Sequence, residues 1–128
     1  MDSKFYISYE AARLLKEKGY NKETDYIIDE DNCIMNSHYM LNEDLSEYVC
    51  SCPTKAEAID WLESKGLVVE LSYDDQGHMD NARWEYFIYT HDNDGLVEAF
   101  VYSWHEYNYY KTRLEAEETA IIKALELL

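Results

Sequence analysis

Only one proline and four glycines occur in the 128 residues, and that scarcity excludes whole classes of function. A loop that cradles phosphate needs several glycines whose backbone amides can approach the anion. Here Gly19 and Gly66 stand where helices should stop, and Gly77 and Gly95 stand in expected turns, so none is left for a nucleotide loop. Basic residues are also few: 11 Lys and Arg against 27 Asp and Glu give a formal net charge of −16. Such a surface repels nucleic-acid phosphates and anionic lipid, so neither direct nucleic-acid binding nor membrane association is expected. No apolar run approaches the roughly 20 residues of a bilayer span, and the N-terminus lacks an apolar leader segment. Three cysteines (Cys33, Cys50 and Cys52) leave one over in any disulfide scheme, which fits a reducing compartment. A cytoplasmic protein is expected.

What is present suits one folded unit. At 47% hydrophobic residues the chain can bury a core without staples, and residues 1–128 are expected to form a single α+β domain. The periodicity places the weight of the fold on three strands between Leu67 and Trp104: LVVELSY, WEYFIYT and LVEAFVYSW. Their short connections, Asp74–Asn81 and Asp92–Gly95, predict an antiparallel sheet. Leu67, Val69, Leu71 and Tyr73 then share one face of the first strand.

Three helices are expected against one face of that sheet. Ser8 caps the first, whose face carries Ala11, Leu14, Leu15 and Lys18. The second follows Pro53. Thr54 and Glu57 have the spacing of a capping box, Ala58, Ile59 and Leu62 form its buried face, and Trp61 lies on the flank. The third repeats the device with Thr112 and Glu115 and turns Leu114, Ile121, Ile122, Leu125 and Leu128 inward. Between the first two helices, DYIID and CIM predict a hairpin, whereas NSHYMLNEDLSEYVCSC has no period and reads as irregular with an edge strand. The order is α-(ββ)-α-βββ-α.

Motifs that carry chemistry fail one by one. His105-Glu106 begins a zinc-protease pattern, but Tyr109 occupies the position of the second histidine. Cys33, His38, Cys50 and Cys52 could close a zinc site, yet Cys-x-Cys is a poor bite. Asp92, Asp94 and Glu98 suggest a calcium loop, but Thr90 and Val101 occupy its first and twelfth positions. No metal, cofactor or catalytic set is expected.

Charge placement is more informative. Between Lys22 and Lys55 there are eight acids and no base; between Gly66 and Tyr110 there are nine acids and only Arg83. The second stretch is also rich in aromatic residues. If Val97, Ala99 and Val101 face the helices, Glu98, Phe100, Tyr102 and Trp104 share the opposite face, where Phe87 and Tyr89 join them. Tyrosine supplies contact area at low entropic cost and acids steer basic partners, so this face is the expected partner surface. Its alternative role is a buried face covered by the N-terminal segment or by a second copy of the chain.

Four stretches carry a resemblance: SYEAARLLKEKGYN, CPTKAEAIDWLESKGLVVEL, WEYFIY and YNYYKTRLEAEETAIIKALELL. In that order they resemble a group of small proteins of gut bacteria and their phages that have no assigned activity. The resemblance covers about half the residues, departs most over Asp25–Cys52, and implies a phage or mobile-element origin. The resulting expectation is a non-enzymatic accessory protein that binds a basic protein partner and self-associates into a homo-oligomer. One alternative is a small enzyme whose site is assembled from scattered His, Asp and Tyr residues. Another is a mimic of the DNA backbone that occupies a nucleic-acid-binding protein.

Overall fold

A computed structural model describes residues 2–74, 83–91, 97–102 and 110–128. Ser8 begins the first helix as expected: its hydroxyl accepts from the Ala11 amide, and α1 runs over Tyr9–Glu17. Gly19, at φ +97°, takes the left-handed position that ends it. The predicted hairpin follows as β1 (Tyr26–Asp29) and β2 (Ile34–Asn36), paired antiparallel with Ile27 opposite Met35. The stretch without a period contains β3 (Val49–Ser51), which pairs with the other edge of β1 through Ile28 and Cys50. These three strands form a separate sheet, ordered β2-β1-β3, so the helices pack around two antiparallel sheets.

In α2 (Lys55–Ser64) both halves of the Thr54–Glu57 capping box are made. Trp61 is not on the flank. It is 5% exposed and meets Tyr20 edge-on, with ring centroids 5.6 Å apart. At roughly 100° per residue Ala58 lies between Trp61 and Leu62, so the buried stripe runs through these three, and Ile59, on the far side of Leu62, is half-buried. Gly66, at φ +91°, releases the chain into the second sheet.

That sheet has the order β4-β5-β6, from β4 (Leu67–Asp74), β5 (Arg83–His91) and β6 (Val97–Tyr102), with antiparallel neighbours. Val69 opposite Ile88 and Leu71 opposite Tyr86 build the face that α2 and α3 cover. The turns predicted at Gly77 and Gly95 lie outside the described residues.

The closing helix α3 (Arg113–Leu127) touches α1, α2, β4 and β5. Its buried side is Ala116, Ala120, Ile121, Ala124 and Leu125, where alanines let neighbouring elements approach closely. The expected inward leucine at its end, Leu128, is instead exposed beyond the last turn, and Leu114 and Ile122 are half-buried. None of the described helices is long and apolar enough to cross a membrane.

Candidate functional site

The small sheet supports a hollow of about 420 Å³. Tyr6, Tyr26 and Tyr39 line it together with Asp25, Asn36 and His38. Tyr26 opens β1 and pairs with Asn36 at the end of β2, which brings both to the same edge. Tyr6 reaches this edge through an antiparallel bridge to Thr54, and its ring meets Tyr26 edge-on at 5.2 Å and 85°.

Tyr39 is placed by a loop under backbone strain. His38 (φ +51°) and Tyr39 (φ +64°) are consecutive non-glycine residues in the left-handed region, a conformation that L side chains resist. Buried Ser37 holds the loop in place. Its amide donates to the Asp25 carbonyl at 3.1 Å, its hydroxyl donates to the Thr24 carbonyl, and that same oxygen accepts from the Tyr39 amide at 3.2 Å. Met40 N–H closes back on the Ser37 carbonyl. The Tyr39 side chain is left 79% exposed. Strain over-determined in this way collects at sites that present a side chain for use.

A second hollow of about 180 Å³ adjoins the first across Asp25 and Tyr39 and adds Glu23 and Glu57. No lysine or arginine lines either one among the described residues. The Tyr6 hydroxyl is accordingly held above its ordinary pKa, first by burial and then by the negative potential of Tyr26, Asp25 and Glu57. Aromatic rings and carboxylates without a counter-cation are suited to receiving one.

The surface expected from sequence is brought together in part. Tyr86 and Ile88 are buried against the helices, and Phe87 and Tyr89 stack on the opposite face with centroids 6.2 Å apart and planes at 22°. Glu70 lies opposite Phe87, and Tyr102 takes the register position opposite Phe87 on the other side. The register shifts between Ile88 and Tyr89, so Val101 pairs with Ile88 but Ala99 with Tyr89, and Phe100 falls at the shift. Glu98 pairs with Thr90. Uninterrupted alternation, the basis for grouping Glu98, Phe100 and Tyr102, therefore does not run through β6. Trp104 lies outside the described residues.

The cysteines do not assemble. Cys33 is exposed, Cys50 and Cys52 are buried free thiols, and no cluster of three metal-ligating side chains occurs among the described residues. Burial, with Glu118 next in effect, pushes the Cys52 thiol up to about 12, so it stays protonated at neutral pH. Comparison with family models, curated proteins and solved structures finds no match to this chain.

Proposed function

We propose that this is a non-enzymatic interaction protein that docks a basic protein partner and seats a lysine or arginine side chain of that partner among Tyr6, Tyr26 and Tyr39. The observation that carries the reading is the hollow itself: three tyrosines and Asp25 converge on it beside a strained loop, with no lysine or arginine among the described residues that line it. A cation over tyrosine faces gains about 0.5–2 kcal/mol, more when water is excluded, and a nearby carboxylate adds direction. The net charge of −16 steers such a partner from a distance. The stacked Phe87–Tyr89 pair and the neighbouring strand that carries Glu98, Phe100 and Tyr102 offer a second contact area on the larger sheet. The phage or mobile-element origin implied by the resemblance belongs to the same proposal, as does cytoplasmic action.

Capture of partners from a host lysate, repeated at low and high salt, tests the reading. A basic protein retained at low salt, released by salt, and lost with the Tyr39→Ala and Asp25→Asn variants is the expected outcome. Retention that ignores both salt and these substitutions would contradict it.

A further inference from the structure

A cation that enters the tyrosine hollow finds the acceptors at its base already engaged. The Thr24 hydroxyl donates to the Tyr26 carbonyl at 2.7 Å, and the Cys52 amide donates to the same oxygen at 2.9 Å. The Thr24 and Asp25 carbonyls accept from the hydroxyl and the amide of Ser37, and the Ser37 carbonyl accepts from the Met40 amide at 3.1 Å. The Ser37 hydroxyl oxygen in turn accepts from the Tyr39 amide. Thr24 and Ser37 are buried, whereas Asp25, Asn36 and His38 are exposed. The polar groups left for a ligand, the tyrosine phenols aside, are therefore these three at the mouth.

The walls are aromatic. Tyr6 and Tyr26 are half-buried and stand nearly perpendicular, at 85°, so together they form a corner. Tyr39 adds a third ring, held out from the His38-Tyr39 turn. At about 420 Å³ the hollow has room for a branched head group and part of the stem behind it.

We propose that the side chain seated here is a methylated lysine, with the trimethylated form held most tightly. The inference rests on the reading that the hollow receives a cation, and narrows it to one chemical class. A primary ammonium brings three N–H donors, and an arginine brings five, which lose water as they enter and find few acceptors in exchange. Methylation keeps the charge and removes those donors. The methyl groups then pack against the rings, and the positive charge is met by the ring faces and, at a distance, by Asp25. The net charge of −16 favours a head group carried on a basic protein over the same head group on an electrically neutral choline lipid, which would feel no steering.

Titration of the full chain with one short basic peptide in three forms, followed by NMR, tests the assignment. The central lysine is unmodified, trimethylated, or replaced by the uncharged tert-butyl isostere. The trimethylated peptide should bind about tenfold more tightly than the unmodified one, and the isostere, equal in shape but without charge, should lose that gain. Tyr39→Ala should erase the difference between the trimethylated and unmodified peptides, whereas Tyr39→Phe, which keeps the ring, should preserve it. Tyr39 is exposed, so neither substitution threatens the fold. Equal saturable binding of the trimethylated and unmodified peptides overturns the inference and leaves the cation reading standing. An isostere that binds as tightly as the trimethylated form, or a preference that survives Tyr39→Ala, also overturns it. Absence of binding by all three peptides at low salt overturns the inference and the cation reading together.

Discussion

The two sheets reach order by different means. The larger one, β4-β5-β6, has strands of 8, 9 and 6 residues, and its register follows from apolar pairs such as Val69–Ile88 buried under helices. The smaller one, β2-β1-β3, has strands of only 3, 4 and 3 residues, too few for hydrophobic alternation to fix a register. Side-chain hydrogen bonds to the backbone do that work instead. Buried Asn42 donates to the Tyr20 carbonyl at 2.8 Å and accepts from the Ser51 amide at 2.7 Å, tying the end of α1 to β3. Lys16 Nζ donates to the carbonyls of Ser46 and Val49 at 2.8 and 2.9 Å, and the Asp29 carboxylate accepts the amides of Asp31 and Cys33. A sheet specified by polar contacts can present polar, strained loops. One specified by apolar pairs presents flat faces.

The sharpest way to break this contrast is a single polar deletion. Asn42→Ala leaves the Tyr20 carbonyl and the Ser51 amide buried and unpaired, a loss of about 2–6 kcal/mol at about 1–3 per group. That overlaps the roughly 2–5 kcal/mol expected for Ile88→Ala in the larger sheet. Hydrogen exchange separates the two: Asn42→Ala should speed exchange first in β1–β3, and Ile88→Ala in β4 and β5. Equal acceleration in both sheets by either variant would dissolve the distinction.

Alkaline titration probes the seam between the regions. Tyr20 is pushed from its ordinary 10.0 up to about 12 by burial, and Cys52 from 9.0 to about 12. The folded state holds protons that the unfolded chain releases, so stability is intact below about pH 9. It then falls as pH rises towards 12, by on the order of a few kcal/mol. Melting temperatures across that window check the sign. Tyr20→Phe should flatten part of the slope.

Ser51→Ala removes a buried hydroxyl that has no partner among the described residues, and should stabilise the protein by up to about 1 kcal/mol in a denaturant titration. The smallest effect on stability belongs to Tyr39→Gly. Relief of the left-handed strain offsets the entropy that glycine adds to the unfolded chain, leaving a gain of about 0.5 kcal/mol or none. Affinity for a basic partner should nevertheless be lost.

The parts legible in sequence were those with local signatures. Ser8, Thr54 and Thr112 mark their helix starts, Gly19 and Gly66 mark two ends, and the long strands β4 and β5 show plain alternation. β3 was harder to see because its partner is β1, more than 20 residues earlier, and because Asn42, rather than an apolar pattern, anchors it. The hollow was invisible for a similar reason. Tyr6, Asp25, Tyr26, Asn36 and Tyr39 come from three segments joined by strand pairing and by the Ser37 hydrogen bonds, and the left-handed turn at His38-Tyr39 has no glycine to announce it. The one available signal was the absence of basic residues between Lys22 and Lys55.

The central claim is that the hollow on the small sheet receives a cationic side chain. A titration of the isotope-labelled protein with a short lysine- and arginine-rich peptide, followed by NMR, tests it most directly. The account predicts saturable shifts at Tyr6, Asp25, Tyr26 and Tyr39 that weaken with salt and vanish in Tyr39→Ala. Shifts confined to residues away from these four, or none at low salt, would contradict it.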